Sequence, residues 1–119
     1  MVQWYTTPIS VYAGDPMSFA FRVNVQPDPE VEAYEPEDLS AYTSWAAEWR
    51  PVVSSDTEIE LEVDATDAET GLIVVRATGV QVREMGGNGV FDVQAIGTDG
   101  EPRTFIRAKT SWKLDVTRG

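Results

Sequence analysis

Carboxylates are almost the only residues in this chain whose types could do chemistry. Twenty of the 119 residues are Asp or Glu, nine are Lys or Arg, and there is neither histidine nor cysteine. Without histidine the usual general base near neutral pH and the commonest metal ligand are both missing. A Ser-His-Asp triad and a Cys-His pair are therefore impossible within the chain, as are a disulfide and thiolate chemistry. Asp64, Asp67 and Glu69 in "DATDAETG" suggest a calcium loop, but the spacing is three and then two, and the glycine falls too late for an EF-hand. A solvated turn is the better reading. "MGGNGVF" is glycine-rich, yet it lacks the lysine and hydroxyl of a phosphate-binding loop and precedes a strand, so it also reads as a turn. Glu58, Glu60 and Glu62 lie on one polar strand face, whereas glycoside hydrolysis needs two carboxyls across a cleft with one desolvated. No catalytic residue, metal or cofactor is expected.

The other resource is aromatic. Trp4, Trp45, Trp49 and Trp112 could form a sugar-stacking platform. Three of them occupy the apolar parity of a strand, where a core role is the default. Trp4, beside Tyr5 and ahead of the first clear strand, is the best candidate for an exposed anchor.

The elements that must position these residues read mainly as strands. In "MSFAFRVNV", residues 17–25, Phe19, Phe21, Val23 and Val25 alternate with Ser18, Ala20, Arg22 and Asn24, the pattern of a half-buried strand. "TEIELEVD" repeats it, with Ile59, Leu61 and Val63 inward. "GLIVVRATG" is a β-branched run after a turn glycine, and "GVFDVQAIG" puts Phe91, Val93 and Ala95 on one face. "TDGE" makes a turn, followed by "RTFIRAKT" and "SWKLDVTR", the latter alternating Trp112, Leu114 and Val116 with Lys113, Asp115 and Thr117. Six or seven strands with turn signals about every ten residues suggest an antiparallel sandwich or barrel in one domain, 1–119.

Three stretches break this rhythm. "QPDPEVEAYEPED", residues 26–38, has three prolines and six acids and no base, which predicts an extended solvated loop. Val31 and Tyr34 are its candidate anchors for a partner. "TGVQVREMGG", residues 78–87, sets Thr78 and Gln81 at capping-box spacing, lets Val82 and Met85 share a face and stops at Gly86, which predicts one short helical turn. "TSWAAEWRP" fits both periods: a helix would align Trp45 and Trp49 with Tyr42 and Leu39, and a strand would align Trp45, Ala47 and Trp49.

The formal net charge is −11 and it is unevenly spread. Residues 1–69 hold Arg22 and Arg50 against fifteen acids, and residues 70–119 hold seven bases against five acids. Bulk acidity argues against nucleic acid, which needs a basic face. No apolar run approaches the roughly 20 residues that span a bilayer, and the N-terminus lacks the pattern of a signal peptide, so no membrane partner and a cytoplasmic site of synthesis are expected. Two charged surfaces are candidate contacts: Glu58, Glu60 and Glu62 on one side, and Arg103, Arg107, Lys109 and Lys113 of a basic C-terminal hairpin on the other. If these lie on different sides of the domain, copies could dock head to tail.

Taken in order, "AGDPMSFAFRV", "DLSAYTSWAAEWRP", "GLIVVRATGVQVREM" and "GNGVFDVQAIGTDGEPRTFIRAKTSWKLDVTR" resemble the small immunoglobulin-like β-sandwich domain of tailed-phage tail and baseplate proteins, including the N-terminal domain of baseplate upper proteins and actinophage minor tail proteins. The resemblance runs from Ala13 to Arg118. It implies an all-β, single antiparallel immunoglobulin-like sandwich of about seven to eight strands with one short helical turn, and makes "YTSWAAEWR" a strand. It also implies a non-enzymatic virion protein, assembled in the host cytoplasm, that docks to other phage structural proteins in a symmetric homo-oligomeric arrangement. A minor tail or tail-tip component is the leading expectation. A capsid decoration or head–tail accessory protein is the alternative, and a carbohydrate-binding module using Trp4, Tyr5 or Tyr34 is the rival of another class. Ala41 stands where the family often has glycine, and the acidic stretch 26–38 is longer than the family's.

Overall fold

A computed structural model describes residues 3–52 and 58–113, with only the backbone pairing of residues 3–7. Among the described residues the chain is all-β apart from one α-helix and one 3-10 turn. The elements are β1 (Gln3–Tyr12), β2 (Met17–Arg22), β3 (Asn24–Val25), β4 (Glu35–Pro36), β5 (Thr43–Arg50), β6 (Ile59–Asp64), η1 (Ala68–Thr70), β7 (Leu72–Ala77), α1 (Gly79–Met85), β8 (Gly89–Ile96) and β9 (Pro102–Lys113). Seven strands form one sheet in the order β1-β9-β8-β5-β6-β7-β2, and β3 pairs with β4 in a separate ribbon.

The sheet folds back on itself through β6. Ile59 and Leu61 pair with Trp49 and Ala47 of β5, whereas Glu62, Val63 and Asp64 pair with Arg76, Val75 and Val74 of β7. As a result β2 reaches β8, four places away in the sheet order, and the Phe19 and Phe91 rings meet edge-on at 5.8 Å. Alternation supplies the core inside the folded sheet: Ala47 and Trp49, Leu61, Ile73, Val75 and Ala77, Phe91, Val93 and Ala95, then Ile106 and Ala108 are all buried. Trp45, Phe19, Phe21, Ile59 and Trp112 pack against this core while remaining partly exposed.

Five expectations change. The sheet is mixed rather than antiparallel, because β1 runs parallel to β9. The basic C-terminal segment is not a hairpin. Residues 102–113 form one strand, and the turn lies before it at "TDG". The 17–25 strand breaks at Val23, whose N–H donates to the carbonyl of Gly71, and Val25 is exposed. The acidic stretch is largely exposed but not extended throughout: residues 27–31 turn, the Val31 N–H donating to the Asp28 carbonyl at 3.0 Å, and its stem is paired through Val25↔Glu35 and Asn24↔Pro36. The helical turn is a seven-residue helix, with Thr78 and Gln81 making the anticipated capping box and Val82 and Met85 buried. "TSWAAEWR" is a strand, and the inward Trp45, Ala47 and Trp49 follow from that. Leu114 and Val116 lie outside the described residues.

Candidate interaction surface

The outward side chains of β9, β8, β5 and β6 form cross-strand rows sorted by sign. In one row Arg107 pairs with Asp92, Asp92 with Glu48 and Glu48 with Glu60. In the next, Lys109 pairs with Val90 and Val90 with Arg50. The row continues to Glu58, whose carboxylate accepts from Arg50 Nη2 at 2.7 Å. Bases thus line β9 and acids line β6 on one sheet face, about 14 Å apart at three strand spacings. They do not lie on opposite sides of the domain, so the head-to-tail premise fails for these residues.

The acidic margin is also not of one sign. Arg50 Nη2 bridges Glu48 at 2.8 Å as well as Glu58, and Arg76 Nη1 contacts Asp64 at 2.9 Å and Glu62 at 3.8 Å. Burial, then hydrogen bonding to and repulsion from Glu58, hold the Glu48 carboxyl above the usual carboxylate range. Its neighbour Glu58 is held below that range, chiefly by the Arg50 hydrogen bond. Where this face meets the end of β5, a shallow depression of about 480 Å³ is lined by Pro8, Pro51, Val52, Val90 and Lys109.

A β-bulge separates Arg103 from the other bases. Val93 pairs with Ile106 but Gln94 pairs with Thr104, so Phe105 is the extra residue and the parity of β9 reverses across it. Arg103 then shares the inner face with Ala95 at the loop end of the domain. Its guanidinium carbon lies 4.4 Å from the Phe105 ring centroid, and Nη1 donates to Glu37 Oε2 and to the Tyr42 hydroxyl, each at 2.9 Å. Arg103 thereby ties the stem of the acidic stretch to the sheet.

The remaining expected contacts are scattered. Val31 and Tyr34 are 50% and 66% exposed, Val31 at the tip of the acidic stretch and Tyr34 beside its paired stem. Trp4 and Tyr5 pair through their backbones with Arg107 and Ala108, and their side chains lie outside the described residues. Lys113 is exposed on β9 opposite Tyr12 of β1. Sequence reasoning missed Glu48, Arg50 and Asp92, because their place in the rows depends on strand register. The charge alternation in "AAEWR" and "FDV" was the available signal. No group of three or more potential metal ligands occurs among the described residues.

No family model matches the sequence, and no curated protein matches it. A solved structure of a mutant SrpA adhesin from Streptococcus sanguinis is similar in fold, with a TM-score of 0.50 and 13% identity over 96% of this chain. The chain spans 58% of the length of that adhesin chain. At this identity the likeness concerns the all-β fold alone.

Proposed function

We propose that this chain is a non-enzymatic structural protein of a phage particle, a minor tail or tail-tip component, and that its fold is a variant immunoglobulin-like β-sandwich. The two facing layers that share β6, with the first strand added in parallel to the last, support the fold reading. The observation that carries the functional reading is the sign-sorted face of β9, β8, β5 and β6 beside an apolar depression. Rows of opposite charge steer a partner and fix its register more than they add affinity, and the depression offers apolar area to bury. The partner is a neighbouring structural subunit, or another copy in a symmetric assembly. The ordered resemblance to phage tail domains supplies the class of particle.

Mass spectrometry of purified particles, with antibody labelling by electron microscopy, tests the reading. The chain should be present and the label should fall on the tail or its tip. Label on the capsid would favour the decoration role, and absence from particles would remove the proposal.

A further inference from the structure

We infer that the loop end of the domain holds a binding cleft for a neutral sugar ring, away from the charged face and independent of where the protein assembles. Between the start of β5 and the β6–β7 connection lies a cleft of about 340 Å³ lined by Leu39, Ser40, Tyr42, Trp45, Thr66 and Glu69 among others. That volume lies in the range of small-molecule sites, roughly 300–1,000 Å³. Its aromatic wall is held in place from behind. Phe105 stacks on Trp45 at 5.1 Å and 25° and meets Tyr42 edge-on at 5.2 Å, and Arg103 lies over Phe105. Trp45 and Tyr42 thus enter the cleft as fixed surfaces, and ordering them costs a ligand little.

The polar wall offers acceptors. The Asp38 carboxylate accepts from the Ser40 N–H and the Asp64 carboxylate from the Thr66 N–H, each at 2.9 Å, which sets the turns that carry the Ser40 and Thr66 hydroxyls. Their oxygens keep lone pairs, and Glu69 adds a carboxylate. A matching ligand must donate several hydrogen bonds to one side and lay an apolar face on an aromatic ring on the other. A hexopyranose does both, through its hydroxyls and its C–H face. The Glu69 carboxylate, in a chain of net charge −11, disfavours an anionic sugar. A wall of two rings, one backed by Phe105, is too open to enclose a quaternary ammonium. The stacking residues are therefore Trp45 and Tyr42 rather than Trp4, Tyr5 or Tyr34.

The test is a ¹⁵N–¹H NMR titration of the full chain with methyl glycosides of glucose, galactose, mannose, rhamnose and N-acetylglucosamine. Concentrations run to roughly 50 mM, well past millimolar affinity. At least one glycoside should shift the Trp45 indole N–H and the amides of Ser40, Thr66 and Glu69. Glu69→Gln, an exposed position, should bind about tenfold more weakly through loss of a charge-assisted hydrogen bond. N-acetylneuraminic acid and choline should leave these signals in place. The inference is overturned if no glycoside moves them, if shifts fall elsewhere on the domain, if Glu69→Gln binds unchanged, or if choline or the anionic sugar binds the cleft instead.

Discussion

The Trp49 indole Nε1 donates to the Thr110 hydroxyl at 2.9 Å, joining β5 to β9 across the start of β8. Trp49 is 1% exposed and Thr110 3%. The indole can lie there because Gly89 occupies the intervening strand: a Cβ at 89 would stand 2.4 Å from two indole carbons and 2.5 Å from the Arg50 carbonyl oxygen. Thr110→Val keeps the shape and strands the indole N–H, and should cost about 1–3 kcal/mol in urea melts. Trp49→Ala should cost about 3–5 kcal/mol. A loss below about 1 kcal/mol for Trp49→Ala would contradict the inward register of β5.

The helix is fastened at both ends. Its capping box closes the N-terminus, and Trp112 Nε1 of β9 donates to the Val82 carbonyl at 2.8 Å. Thr78→Ala should therefore cost about 1 kcal/mol, while Thr78→Ser should restore most of it. Equal losses in the two variants would mean that the hydroxyl contributes little.

Two carboxylates should respond to pH in opposite senses. Glu48 binds its proton more tightly folded than unfolded, so its ionised form opposes folding at neutral pH, and that opposition fades as pH falls through its raised pKa. Glu48→Gln should match or exceed the parent in thermal stability at pH 7, with the gap closing towards acid. Asp64 is held at about 2 by its Thr66 hydrogen bonds and by Arg76. Its contribution is present above the unfolded carboxylate value and is lost as pH falls towards about 2. Asp64→Asn should be the less stable protein at pH 7, and the difference should shrink only below the ordinary carboxylate range. Parallel curves for the two variants would contradict both assignments.

The acidic stretch divides into a stem and a tip. Leu39 is fully buried, its N–H donates to the Ala68 carbonyl, and Glu37 holds Arg103. Excising all of 26–38 would remove Glu37 and with it the ion pair of Arg103. Shortening only 27–33 to a tight turn should leave stability within about 1 kcal/mol, since loop length acts weakly and the tip is exposed. If Val31 at the tip is a partner anchor, the shortened chain should fold yet enter particles poorly.

Period-two alternation made most of the core legible, because inward Phe91, Val93 and Ala95 or Ile59, Leu61 and Val63 announce themselves without a partner strand. The helix was legible for a local reason, its capping box. Pairing was not. Nothing in "QWYTTPISVY" states that it lies parallel to β9, and nothing in "RTFIRAKT" marks Phe105 as a bulge that turns Arg103 off the face of Arg107 and Lys109. The charged rows were illegible for the same cause: Arg107, Asp92, Glu48 and Glu60 are neighbours only through three registers set elsewhere. The cleft arises where loops distant in sequence meet, which alternation does not encode.

The docking face is the central claim, and a charge swap at its two margins tests it most directly. Lys109 and Glu60 are exposed, on β9 and β6. The double variant Lys109→Glu with Glu60→Lys keeps the net charge and breaks the sign order in both rows, at the β9 end of one and the β6 end of the other. Incorporation into particles should be measured against the parent after confirming equal thermal stability. The account predicts a folded protein whose incorporation falls at least about tenfold, the loss of one or two rim charge pairs worth of steering and register. Incorporation equal to the parent's would contradict it.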